Sequence, residues 1–204
     1  MGLKDSFMKS STLTKICLVL LLLAQICSWI AFTVPEWGRK YTDRLLGTDG
    51  GYTGLGLWRT CSNGASTSYT GPSNCNSFNL DGAVLDWFVA VQAFSIFGFV
   101  GINIAFIIVV LQVFTSKCDD ITDIGFWNAV QSIVTAICYL IAVIVFGAEF
   151  DDGDYGRPIP KGYNYKAGEL GFSFGLAIVA LLLEGVAGVL MLVDNKKGKG
   201  TSPA

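Results

Sequence analysis

The chain has 204 residues, of which 52% are hydrophobic and 15% charged, where soluble domains carry about 25% charge; its mean hydropathy is +0.54. That balance points to a membrane protein. A net charge of −2 excludes the strongly basic surface that nucleic acid requires, and the absence of His removes the usual residue of zinc sites, imidazole catalysis and pH switches.

Four apolar runs follow one another, at about 16–34, 84–114, 124–146 and 170–193. Each reaches the roughly 20 residues that cross a hydrocarbon core about 30 Å thick. The first ends at Pro35 and follows Lys4, Lys9 and Lys15. It is too long for the apolar part of a signal peptide, and no A-x-A cleavage site follows it, so it is expected to remain as a span. Residues 1–6 fit the loose myristoylation pattern, but four spans gain little from an acyl anchor. Loop one, 35–83, mixes glycines and Gly71-Pro72 with Tyr, Thr and Trp. Turn residues between short β-prone pieces predict a small sheet. The second run would be about 46 Å long as a helix and should tilt or project. A short segment, 115–123, leads to the third run. Loop three, 147–169, starts acidic and becomes rich in Pro, Gly and Tyr. The tail, 194–204, is polar and is expected to be disordered.

Four spans place both termini on one side. With cytoplasmic termini, Lys4, Lys9, Lys15, Lys117, Lys196, Lys197 and Lys199 lie inside, and Arg39, Lys40, Arg44, Arg59, Arg157, Lys161 and Lys166 outside. The numbers tie, but the outer segments are longer, and long loops cross largely regardless of charge. Cys61 and Cys75 break the tie. They are the two thiols that share a long polar loop, and as a disulfide they need the oxidising side. The expected fold is therefore an all-α membrane protein. It is a single domain over 1–204, a left-handed four-helix transmembrane bundle with a small extracellular antiparallel β-sheet from loop one.

Within the spans Glu184 stands out. Ionisable groups at that depth usually face the bundle interior and have a partner. Its neighbours at helical spacing, Ala177, Ala180, Leu181, Ala187 and Gly188, are mostly small, as at close helix contacts. Asn103 and Thr135 lie at comparable depth, so Glu184 is expected to join Asn103, or the Asn128/Gln131/Thr135 face, as interhelical glue. An ion pathway is the weaker reading, since the other polar groups are neutral. Asp151, Asp152 and Asp154 lack the spacing and distal Glu of an EF-hand and read as a solvated loop. No nucleophile elbow, P-loop or paired carboxylates set in a pocket occur. No enzyme activity, metal or cofactor is expected.

Trp37, then Gly56-Leu57-Trp58, Cys61 and Cys75, between a first and second span, resemble the superfamily of claudins, peripheral myelin and epithelial membrane proteins and calcium-channel gamma subunits. The resemblance covers nearly the whole chain. Lys117-Cys118 is similar to the claudin Lys-Cys that can be palmitoylated, and 168–175 to the claudin approach to the fourth helix. Residues 91–94 and 111–114 look more like the epithelial membrane protein branch, and GLWRTC at 56–61 also resembles the gamma subunits. The 13 residues between Cys61 and Cys75 exceed the usual claudin spacing, and the chain ends Ser202-Pro203-Ala204 rather than Tyr-Val. The resemblance implies a plasma-membrane protein of cell–cell junctions. Such proteins associate with like proteins in cis and in trans to form adhesive strands and a paracellular barrier or ion-selective path. Loop-one charges Glu36, Arg39, Lys40, Asp43, Arg44, Asp49 and Arg59 would set selectivity. The alternatives it implies are an auxiliary gamma-type subunit of an ion channel and an epithelial-membrane-protein-like adhesion or membrane-organising protein.

Overall fold

The structure, a computed structural model, describes residues 3–41, 52–63, 74–77, 86–115, 124–151 and 169–200. Hydrocarbon offers the backbone no hydrogen bonds, and a helix satisfies its own. The apolar runs accordingly form α2 (Thr12–Thr33), α3 (Asp86–Phe114), α4 (Ile124–Asp151) and α5 (Phe172–Gly200), after a short α1 (Leu3–Lys9). All four long helices have the length and apolar character to cross a membrane. The break between α1 and α2 is a capping site. The Ser11 hydroxyl accepts the Thr14 backbone N–H at 3.0 Å, which satisfies a donor left over at the helix start. Pro35, which cannot continue a helix, lies just past the end of α2.

A five-stranded antiparallel sheet joins β1 (Gly38–Tyr41), β2 (Tyr52–Leu55), β3 (Arg59–Asn63), β4 (Asn74–Ser77) and β5 (Glu169–Leu170) in the order β4-β3-β2-β1-β5. The expectation of a small antiparallel sheet from loop one holds for β1–β4. The fifth strand comes from the end of the third loop, pairing Gly38 with Leu170 and Arg39 with Glu169. That pairing depends on contacts remote in sequence and left no local trace.

The helices also run past the apolar segments. α4 continues through Phe150, which is 1% exposed and stacks on Phe146 at 5.1 Å, so packing carries the helix beyond the run's end. α5 continues to Gly200, so the tail expected to be disordered from Asp194 is helical through that residue. Lys196 and Lys197, in its last turns, are of the charge favoured at a helix C-terminus.

The chain divides into two compact units. One comprises Met1–Ser28, Ile96–Leu140 and Ile178–Ala204. Its core is Cys17, Leu21, Ala105, Val109, Val113, Ala129, Ala187 and Met191. Here α3 and α4 approach closely. A Cβ on Gly98 would enter the Tyr139 ring, and one on Gly101 would enter the Thr135 side chain. Small residues that let backbones meet are the usual means of packing helices in lipid. The other unit, Trp29–Ser95 and Ile141–Ala177, holds the sheet and an aromatic core of Trp37, Phe88, Phe146, Phe150 and Phe174.

Gly101→Leu should therefore overpack the α3–α4 seam and destabilise the protein by at least about 1–3 kcal/mol. Gly175→Leu, where an added Cβ meets nothing within 4 Å, should be nearly silent. Thermal unfolding in detergent compares the two, and equal melting temperatures would refute the seam.

Candidate functional site

Trp37 follows the end of α2 by a few residues and is fully buried. Its indole N–H donates to the Ala31 carbonyl at 2.6 Å, so the ring is held by the last turns of the helix it follows. The ring meets Phe146 of α4 edge-on at 5.2 Å and Phe174 of α5 at 5.9 Å. Its backbone N–H donates to the Leu55 carbonyl at 2.8 Å, and its own carbonyl accepts from the Gly171 N–H at 2.9 Å. One residue thus ties α2, the β2 strand, α4 and the start of α5 together. Buried aromatic pairs of this geometry contribute about 0.5–1.5 kcal/mol each beyond area.

The Gly56-Leu57-Trp58 segment forms the turn between β2 and β3. Gly56 donates to the Arg59 carbonyl at 3.0 Å, and a Cβ there would strike Pro35, so the close approach demands glycine. Leu57 is 1% exposed, and its carbonyl accepts the Gln92 side-chain amide at 2.6 Å. Gln92, on α3, is thus an anchor for the turn. Trp58 packs on Phe32 at 5.0 Å. Cys61 and Cys75 sit directly opposite on β3 and β4 and form a disulfide with a Cα–Cα distance of 4.1 Å.

Of the charges expected to matter for selectivity, Glu36 and Arg39 neutralise each other in an ion pair at 2.5 Å. At its partial exposure such a pair contributes little to stability, about 0–1 kcal/mol. Arg59 is exposed, and its guanidinium reaches the Thr33 carbonyl at 3.4 Å. Lys40 lies in β1 opposite Thr53. Asp43, Arg44, Asp49 and the palmitoylation candidate Cys118 lie outside the described residues.

Glu184 is fully buried in the first unit. Among the described residues neither of its oxygens has a hydrogen-bond partner. Asn103 instead accepts from Gln25 of α2 at 2.8 Å and donates to the Phe99 carbonyl. Gln131 donates to the Gly101 carbonyl at 2.9 Å and to the Thr135 hydroxyl at 3.0 Å. Asn128 reaches the Ala105 carbonyl at 3.4 Å. Because α3 comes so close, its backbone carbonyls take the amide donors of α4. The structure adds two pairings the sequence did not indicate, Gln25 with Asn103 and Ser28 with Tyr139 at 2.6 Å. Polar residues in an apolar run were the available signal, but the partner on another helix was not. Among the described residues no three His, Cys, Asp or Glu side chains cluster as metal ligands would.

Four membrane-spanning helices with a stapled antiparallel sheet seated on a buried Trp define a multi-pass tetraspan membrane protein. The PMP-22/EMP/MP20/Claudin family model matches residues 5–191, and the chain belongs to that family. It is similar to epithelial membrane protein 1 of Homo sapiens and of Pongo abelii. Each is 29% identical over 143 residues, covering 70% of this chain and 76% of the relative.

Replacing Trp37 by Ala should cost about 3–5 kcal/mol, whereas Trp37→Phe, which keeps an aromatic ring but leaves the Ala31 carbonyl without its donor, should cost less, about 1–3 kcal/mol. If Trp37→Ala melts with the exposed Trp29→Ala control, the indole is not a pin. Breaking the cross-link with Cys61→Ser and Cys75→Ser together should lower stability by about 3 kcal/mol in the chain-entropy model. Unchanged denaturation of the unreduced double variant would contradict that loss.

Proposed function

We propose that the protein is a claudin-like component of cell–cell junctions, without catalytic activity. In this reading the sheet faces outside the cell, both termini are cytoplasmic, and like chains assemble side by side and across facing membranes. The observation that carries the reading is the stapled sheet on its aromatic seat. Cys61–Cys75 joins β3 to β4, and β4 is an edge strand among the described residues. A disulfide belongs to an oxidising compartment, and an edge strand presents unpaired backbone groups to a neighbour. A covalently held edge keeps that surface in shape, as an adhesive contact needs.

Arg59 is exposed, while Glu36 and Arg39 offset each other. Ion selectivity would therefore fall mainly to Arg59, Lys40, Asp43, Arg44 and Asp49. Glu184, Asn103 and Thr135 would stiffen the helices, and Cys118 would accept an acyl chain. Similarity to epithelial membrane protein 1 supports a second reading, an adhesion or membrane-organising protein that forms no strands.

Expressed alone in non-adherent cells, the protein should gather at cell–cell contacts, with strands visible by freeze-fracture. Cys61→Ser should disperse them. Contact enrichment without strands would favour the second reading, and diffuse label with a channel recovered on pull-down would sink both.

A further inference from the structure

Five buried side-chain atoms in the first unit have no hydrogen-bond partner among the described residues. They are both Glu184 oxygens, the Ser132 hydroxyl, and the amide oxygens of Asn128 and Gln131. The two amides have already committed their N–H groups. Gln131 gives its own to the Gly101 carbonyl and the Thr135 hydroxyl, and Asn128 to the Ala105 carbonyl and the Met191 sulfur. What is left is a set of acceptors, in which Ser132 alone can donate as well as accept.

The set follows one seam. Asn128 meets Met191 at 3.4 Å, a Cβ on Gly188 would lie 3.3 Å from the Ser132 Cβ, and one on Gly185 3.7 Å from the Ala136 Cβ. α4 and α5 are therefore antiparallel here, and about a turn forward along one is about a turn back along the other. That register puts Glu184 level with Ala136, about one turn past Ser132 and two past Asn128. Asn128 is 1% exposed, and Ser132 and Glu184 0%. The seam thus leads from the end where α4 starts and α5 stops to a carboxyl group roughly 14 Å inside its run.

A carboxylate at that depth carries one negative charge, and the four apolar runs supply no Lys or Arg to balance it. Isolated charge in a low-dielectric interior is very costly, so the counter-charge has to come from outside the chain. A proton would add a single donor, whereas a metal cation takes lone pairs from several oxygens at once. Oxygen ligands suit a hard cation. One unit of negative charge suits a monovalent one, since a divalent ion would leave the interior positive. We propose that Glu184 and Ser132 hold a small monovalent cation, of the sodium kind, between α5 and α4, with the Asn128 and Gln131 oxygens lining its way in. The ion would join the two helices where no direct hydrogen bond does. The inference does not rest on the junction reading.

The test uses the full chain in detergent, purified throughout in either sodium chloride or N-methylglucamine chloride, whose cation is too large for the seam. Equal ionic strength holds surface screening constant. With sodium a hundredfold above its dissociation constant, the melting temperature should be about 5–10 °C higher than in N-methylglucamine. Glu184→Gln should abolish that difference. Equal melting in the two salts would overturn the proposal and leave Glu184 holding a proton. A difference that survives Glu184→Gln would overturn it too, because the ion would then bind elsewhere. If the variant does not fold, dicyclohexylcarbodiimide, an apolar reagent that adds to protonated carboxyl groups, gives the answer on the unmodified chain. It should label Glu184 in N-methylglucamine and about a hundredfold more slowly in sodium, read by peptide mass. Labelling at the same rate in both salts would refute the cation.

Discussion

The sheet depends on how one indole is boxed. Trp37 is held at its N–H by the α2 backbone, at its ring by Phe146 and Phe174, and at its main chain by Leu55 and Gly171. Each contact fixes a different element. The chain leaving α2 cannot swing away, because the ring folds back onto the helix it has just left. β1 then begins at a fixed place, β2 pairs with it, and β5 closes its other side. The family resemblance marks Trp37 as a motif residue, and the contacts supply the reason. A smaller or purely aliphatic side chain would fill part of the volume and could not donate to the Ala31 carbonyl, leaving only the main-chain bonds to Leu55 and Gly171.

A different constraint governs the first unit. Gly98 and Gly101 bring α3 against Tyr139 and Thr135, and the polar side chains of α4 then find α3's carbonyls nearer than other side chains. Hydrogen bonds in lipid gain only modestly over the alternatives, because an unfolded span also finds partners. Their value is in direction. Gln131 on Gly101 and Asn128 near Ala105 are two contacts along one pair of helices, and a slip of register would break both.

The sequence revealed what is local or periodic. Apolar length located the four spans, Pro35 the end of the first, and the shared polar loop singled out Cys61 and Cys75. The short strands around Gly56 followed from turn residues. Non-local features were not legible. β5 is two residues long and exists because β1 is beside it. The extension of α4 rests on Phe150 meeting Phe146, after the apolar run has ended. Gln92 could be recognised as polar within a span, but nothing in the sequence said that its amide seeks the Leu57 carbonyl. Asn103 likewise has the depth expected, yet its partner is Gln25, chosen by which helices pack together.

Glu184 shows why depth and partner are separate questions. Removing a carboxyl group from water without a hydrogen bond is costly, and the four apolar runs contain no Lys or Arg to meet it. Its own helix packs closely at that level: a Cβ on Gly188 would lie 3.2 Å from the Ala129 carbonyl and 3.3 Å from Ser132. Bulky neighbours cannot be what keeps the carboxyl inside, since Ala177, Ala180 and Ala187 surround it in sequence and are all buried. The alternative placements decide the matter. Any rotation of α5 that turned Glu184 outward would put the group into hydrocarbon and expose the small-residue face to lipid, losing the close packing as well. The residue therefore narrows the rotations open to α5 even where it adds no favourable contact, and the small residues around it make the surviving rotation the closely packed one.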